Sequence, residues 1–158
     1  TEKRYIFQIT IRLLPKIQLA MILIMINSGD EMVLPCMGTI SSDYGKRQNP
    51  TGENEQFHSG IDIATEENTP VLAVYNGVVT DCTVSESYGV KLSLKTDNGY
   101  DVVYAHLNKI LVKEGETVEK GQTVAFSGNT GDSTGPHLHI EISKNGESVN
   151  PKSVIKGF

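Results

Sequence analysis

The stretch "STGPHLHIEIS", residues 133–143, carries two of the chain's four histidines, His137 and His139, on one short segment. In a β-strand successive side chains alternate faces, so residues two apart point the same way, roughly 6.6–7 Å apart along the strand. From Leu138 to Ser143 the residues alternate: Leu138, Ile140 and Ile142 fall on one face, His139, Glu141 and Ser143 on the other. Both imidazoles therefore leave the face opposite the apolar one. Gly135 and Pro136, just ahead of the pair, read as a tight turn entering an edge of β-structure. Two imidazoles on one face suggest a metal or proton-transfer site, although short H-x-H pairs also arise by chance.

Composition narrows the class. A chain of 158 residues suits one domain with about thirty residues to spare, and 38% hydrophobic residues suffice for a core without staples. Fifteen glycines, no tryptophan and recurring short Val/Ile/Thr runs predict an all-β, turn-rich domain. A net charge of −5 gives no reason to expect nucleic acid or an anionic membrane surface as partner. Cys36 and Cys82 lie far apart and form no C-x-x-C half-site. They read as unpaired thiols buried as small hydrophobes, with a disulfide as the alternative.

The first thirty residues differ from the rest. "IQLAMILIMI", residues 17–26, is the most apolar run, but it is shorter than the roughly 20 residues a bilayer span needs. With Lys3, Arg4, Arg12 and Lys16 ahead of it, the run fits a signal-peptide core, the stub of a membrane anchor or an element packed on the domain. The start at Thr1 fits a processed or excised chain. The expected division is residues 1–30 as an N-terminal segment and 31–158 as the functional domain.

Onward from there, short strands alternate with turn signals. "GTISSDYGKR" (38–47) reads as strand into loop, and "QNPTGENEQ" (48–56) as a polar loop. "TPVLAVYNGVVTDCTV" (69–84) reads as two strands hinged at Asn76-Gly77, a hairpin signal. A second hairpin is predicted from "VKLSLKT" (90–96) through Asn98-Gly99 to "DVVYAHL" (101–107). "ILVKEGETVEKGQTVAFSG" (110–128), "HLHIEIS" (137–143) and "ESVNP" (147–151) complete the domain. No sustained 3.6-residue apolar period appears after residue 30, so few helices are expected. The fold class is a compact antiparallel β-sheet or sandwich.

The other two histidines fall in similar places. In "HSGIDIA" (58–64), His58, Gly60 and Asp62 share a face while Ile61 and Ile63 take the other, and Gly60 leaves open space between imidazole and carboxylate. His106 ends the alternating "DVVYAH", on the face of Val102 and Tyr104. Four histidines and an aspartate thus sit at three strand ends. Such nitrogen and oxygen donors suit zinc, and a catalytic zinc takes three protein ligands and keeps a position for water. Five candidates for three places leave two imidazoles for proton transfer and charge stabilisation.

From about Leu34 to Pro151 the chain resembles the lysostaphin-type zinc endopeptidases, which cut peptide bonds in bacterial peptidoglycan. The matching text is "ISSDYGKR", "HSGIDIA", "TPVLAVYNGVV", "YAHL", "VKEGETVEKGQTVAFSGNTGDSTGPHLHIEI" and "VNP". The resemblance implies that His58, Asp62 and His139 bind Zn2+, that His106 and His137 are the catalytic imidazoles, and that loops wall a groove with the metal at its floor. None of these positions is substituted, which argues against the inactive, scaffold-type relatives. Val90 departs from the family's usual asparagine, the polar loop from Gly45 to His58 leaves substrate choice open, and residues 1–30 match nothing in the family. The resemblance also implies peptidoglycan peptides as partners, an extracytoplasmic location and a monomer, with any membrane contact made through the N-terminal segment. It does not say which of His106 and His137 is the general base.

Two further side chains lie near these positions. Tyr104 reads as a core-edge residue more readily than as a donor to an intermediate, and Glu141 as a solvated residue more readily than as an orienter of His139. Two other classes compete. The hairpin-like "VKEGETVEKGQTVAFSGNTG" also looks like biotinyl and lipoyl carrier domains, with Lys120 near a turn, but it lacks their flanking methionine and a carrier has no use for H-x-H. A catalytically silent wall-binding or scaffold module of the same fold is disfavoured by the intact set of five.

Overall fold

A computed structural model describes residues 29–48 and 54–158. Among them the strands, in chain order, are β1 (Thr39–Ser42), β2 (Gly45–Gln48), β3 (Glu55–His58), β4 (Gly60–Ala64), β5 (Pro70–Leu72) and β6 (Gly77–Ser85). They continue with β7 (Gly89–Thr96), β8 (Tyr100–Ile110), β9 (Thr117–Val118), β10 (Thr123–Ser127), β11 (His137–Lys144) and β12 (Glu147–Val149). One 3-10 turn, Pro151–Ser153, is the only helical element among the described residues. The all-β expectation holds, and every strand pairing is antiparallel. The apolar run at 17–26 and most of the N-terminal segment lie outside the described residues.

The main sheet runs β1-β4-β11-β8-β7-β6-β9, with β12 also on β11 and β10 bridging β5 and β8. The histidine pair is therefore not on an edge strand. β4 and then β12 flank one side of β11, and β8 flanks the other. Pro136 ends just before β11 begins, so its missing N–H falls outside the ladder and a central position is permitted. Leu138, Ile140 and Ile142 are buried against Ile61, Ile63, Val102 and Tyr104, which leaves the opposite face of the same three strands free for chemistry.

Of the two predicted hairpins, one forms. β7 and β8 pair through Lys95↔Asp101 around Asn98-Gly99. Asn76-Gly77 is not a hairpin hinge: β5 pairs with β10, and β6 pairs with β7 and β9. Gly77 serves close approach rather than a turn, since a Cβ there would lie 2.2 Å from the Lys95 carbonyl oxygen. The chain from Ala73 to Asn76 is bound by nonlocal partners, with Ala73 N–H donating to Gln122 O and the Asn76 side chain accepting from Lys120 N–H. An Asn-Gly pair carries the same local signal whether the next strand folds back or crosses over.

The segment from Gly45 to His58, read as a polar loop, instead forms a paired ribbon at its two ends. β2 and β3 join through Gly45↔His58 and Gln48↔Glu55, forming a small second sheet beside the main one. Cys36 is buried and Cys82 half-buried, and both are free thiols, as the unpaired reading expected. Burial pushes the Cys36 thiol up to about 12.

Candidate metal centre

The five predicted residues come together, from four strands. β11 presents His137 and His139 on its polar face, and the register His139↔Asp62 sets the aspartate of β4 beside them. Gly60 permits this pairing. A Cβ there would sit 2.2 Å from Ile140 O, so the space expected between His58 and Asp62 is filled by the backbone of β11. His58 comes from the last position of β3.

His106 arrives by a bulge. From Leu92↔Tyr104 to Val90↔Leu107 β8 takes three steps while β7 takes two, so one residue of β8 is extra. His106 has φ of 58°, in the left-handed region that non-glycine residues rarely adopt. Strict alternation would place it with Val102 and Tyr104 in the core. The bulge turns it out and gives the core position to Leu107, which is fully buried. A hydrogen bond from His106 N–H to Tyr88 O, 2.8 Å, holds this backbone.

Three donor atoms meet at the floor of a groove. His58 Nε2 lies 3.2 Å from His139 Nδ1 and 3.2 Å from Asp62 Oδ1, and His139 Nδ1 lies 2.7 Å from the same oxygen. Tetrahedral zinc with bonds of roughly 2.0–2.2 Å sets its ligand atoms about 3.3 Å apart, so the triangle has the size of one metal site. Tautomers support the fit. His58 Nδ1 faces Asp43 O at 2.8 Å, and a carbonyl oxygen only accepts, so the proton is on Nδ1 and the Nε2 lone pair faces inward. His139 Nε2 bonds Glu141 Oε1 at 3.0 Å, leaving Nδ1 for the cluster. Three lone-pair-bearing atoms this close require a cation or a proton among them.

The electrostatics reflect that demand. Burial alone would raise the Asp62 carboxyl, but hydrogen bonds and charge from His139 and His58 outweigh it and hold the group far below the usual carboxylate range. Burial likewise opposes charge on His139, but Asp62 and Glu141 outweigh it and raise the imidazole to about 9.

The remaining two imidazoles stand beside this cluster. His106 and His137 have ring centroids 4.6 Å apart. His106 Nδ1 donates to Thr130 O at 2.7 Å and His137 Nδ1 to Gly135 O at 2.8 Å, so in both rings Nε2 carries the lone pair. Burial pushes the His106 pKa down, keeping the neutral form. His137 Nε2 lies 3.8 Å from Asp62 Oδ1, so that edge looks into the cluster.

Glu141 and Arg47 were not foreseen in these roles. Glu141, read as solvated, is half-buried and bonded to His139, Ser59 and Tyr88; burial would raise its pKa, but those partners hold it near about 2. Arg47 Nη1 bonds Asp62 Oδ2 at 3.0 Å and also reaches Ser42 Oγ, so the outer oxygen of the aspartate is tied while the inner one faces the cluster. Its alternation in "YGKR" carried no sign of that partner. Tyr104 is fully buried, as the core-edge reading expected, and accepts a hydrogen bond from Val74 N–H at 3.0 Å, which removes it from the chemistry. The groove walls are the β2–β3 ribbon with Phe57, the turn bearing Ser87 and Tyr88, and the segment bearing Asp132 and Thr134.

Residues 56–151 match the family model described as Peptidase family M23. The chain belongs to peptidase family M23. Among M23-like relatives, the chain is 43% identical over 115 residues to the "DD-carboxypeptidase/endopeptidase Mpg" of Neisseria meningitidis, covering 73% of this chain and 26% of that protein. It is 37% identical over 116 residues to the "Peptidoglycan DD-endopeptidase ShyC" of Vibrio cholerae, covering 73% of this chain and 27% of that one. The fold is similar to that of a zinc-containing peptidase from Vibrio cholerae, with a TM-score of 0.69 at 34% identity over 77% of this chain and 38% of the other. It is also similar to the catalytic domain of lysostaphin from Staphylococcus simulans, with a TM-score of 0.67 at 30% identity over 73% of this chain and 90% of that domain. The chain spans about a quarter of the length of these two curated relatives. The lysostaphin-type resemblance read from "HSGIDIA" and "GPHLHIEI" thus holds at the level of family and fold.

Proposed function

We propose that this M23 domain is a zinc-dependent endopeptidase that hydrolyses peptide bonds in bacterial peptidoglycan, in a cross-bridge or a stem peptide. His58, Asp62 and His139 are its metal ligands, and His106 and His137 its catalytic imidazoles. The observation that carries this reading is the meeting of His58 Nε2, Asp62 Oδ1 and His139 Nδ1 beside two imidazoles whose Nδ1 atoms are held by backbone carbonyls. The printed names of the two curated relatives support the endopeptidase activity and, for one, the wall substrate.

A zinc ion held by these three side chains supplies Lewis acidity, lowering the pKa of a water toward about 7 and polarising a carbonyl. The protein's own groups do the rest. With Nδ1–H held by backbone carbonyls, His106 and His137 each offer Nε2 as a proton acceptor. A neutral ring pinned this way cannot donate from Nε2, so hydrogen bonding to a developing oxyanion, or protonation of the leaving amine, needs the imidazolium. One ring neutral and the other protonated is therefore the working pair. Arg47 and Glu141 hold Asp62 and His139 in place through the turnover.

The reading carries further assignments. The substrate places the domain outside the cytoplasm, with residues 1–30 as an export or anchoring segment and 31–158 as the catalytic domain, acting as a monomer. No helix among the described residues is long and apolar enough to cross a membrane. The test is metal content and clearing of purified peptidoglycan, with His137→Ala as control. One zinc per chain, with clearing that the variant loses, is the expected result. Zinc without clearing on any wall type points instead to a silent scaffold, and absence of zinc sinks the ligand assignment.

A further inference from the structure

We propose that Glu141 is the positioning residue of the metal centre, selecting the tautomer of His139 that can ligate, and that Tyr88 and Ser59 hold Glu141 in that role. The inference rests on the reading that His58, Asp62 and His139 bind the metal.

One oxygen carries the argument. Glu141 Oε1 accepts from His139 Nε2 at 3.0 Å, from Tyr88 OH at 3.0 Å and from Ser59 Oγ at 2.6 Å. The three donors come from separate parts of the fold: β11 itself, the turn before β7, and the junction of β3 with β4. Such convergence on a half-buried carboxylate fixes its position as no single bond would.

His139 needs that fixed point because two carboxylates compete for it. A neutral imidazole has one N–H, and His139 stands between Asp62 Oδ1 on its Nδ1 side, 2.7 Å, and Glu141 Oε1 on its Nε2 side, 3.0 Å. With the proton on Nδ1, the ring donates to Asp62 and its lone pair, on Nε2, faces Glu141 instead of the cluster. With the proton on Nε2, it donates to Glu141, and Nδ1 joins Asp62 Oδ1 and His58 Nε2 as a ligand atom. Glu141 therefore decides which side of the ring is available. Tyr88 acts one step further out. Its hydroxyl bonds the same oxygen from the groove wall, and its ring stands 6.2 Å from the His139 ring.

The test is zinc affinity of the full chain, measured by competition with a chromophoric chelator, with melting of the chelator-stripped protein as a separate measure of folding. Glu141→Ala is expected to weaken zinc binding about 10- to 100-fold, the range for lost outer-shell partners of a ligating histidine. Glu141→Gln keeps shape and an acceptor oxygen but loses charge, and restores part of that loss. Tyr88→Phe weakens binding several-fold while the metal-free melting temperature stays unchanged, which a purely structural role would not produce. If Glu141→Ala proves too unstable to purify, the Gln and Phe variants decide alone. All variants binding zinc within twofold of the parent, while His139→Ala loses it, overturns the positioning role and leaves the ligand assignment standing. A parent that takes up no zinc, or a His139→Ala that keeps it, overturns the ligand assignment, and this proposal with it.

Discussion

His106 donates its Nδ1–H to the carbonyl oxygen of Thr130 at 2.7 Å, and Thr130 returns to the same strand through its hydroxyl, which donates to Leu107 O at 2.7 Å. The same hydroxyl accepts from Val90 N–H at 3.1 Å, so one threonine braces the bulge in β8, the start of β7 and the imidazole together. Replacing Thr130 by valine keeps the carbonyl and the shape but removes both hydroxyl bonds. The variant should lose about 1–2 kcal/mol of stability, measured by urea unfolding. Its hydrolytic rate should fall while zinc content stays at that of the parent, because the proposed ligands His58, Asp62 and His139 lie on other strands.

Metal binding and catalysis should separate by residue. His139→Ala and Asp62→Asn are expected to lose zinc and activity together. His106→Ala and His137→Ala should keep the metal and lose about 10²–10⁴ in rate, the usual share of a proton-transferring side chain. Metal analysis of the purified variants beside a peptidoglycan-clearing assay distinguishes the two classes. Loss of zinc from His137→Ala would move that residue from the proton-transfer role to the ligand set.

Two glycines near the site make a matched pair. A Cβ at Gly60 would lie 2.2 Å from Ile140 O, whereas nothing stands within 4 Å of one at Gly135. Gly60→Ala should therefore force β4 from β11, costing about 1–3 kcal/mol as overpacking and loosening zinc binding with the lost register. Gly135→Ala retains the carbonyl that His137 uses and should change stability by no more than about 0.5 kcal/mol. Chemical denaturation of both variants checks the contrast.

The two thiols should differ in reactivity. Burial raises Cys36 to about 12 from an ordinary 9.0, so the folded state disfavours its thiolate, and its contribution to stability is complete below pH 9 and lost as pH rises from 9 toward 12. At pH 8 a thiol reagent should label the half-buried Cys82 in the native protein and reach Cys36 only on unfolding. Fast native labelling of Cys36 would contradict the burial that places it in the core.

Much of the site was legible because it is built on strands. Period-2 alternation in residues 137–143 and 58–64 placed His139 and Asp62 on one face and the isoleucines on the other, and the register His139↔Asp62 made that shared face a site. Alternation misplaced His106, whose left-handed backbone interrupts the period at one residue. Gly60 and Gly77 were misread for a common reason: each admits a neighbouring strand, and the carbonyl it admits is distant in sequence. Glu141 was misjudged since its partners Ser59 and Tyr88 lie 82 and 53 residues away.

Within the amino-acid sequence itself lay the all-β class, the apolar and polar faces of each strand, the second hairpin and the five residues of the centre, since steric alternation and turn chemistry act over a few residues at a time. Tertiary structure alone decided the central place of β11, the crossover at Asn76-Gly77, the bulge that turns His106 outward, and the tautomers of all four imidazoles. Each of these depends on which carbonyl or carboxylate from a remote segment lies within hydrogen-bond reach, and that is set by strand register and closure of the whole sheet.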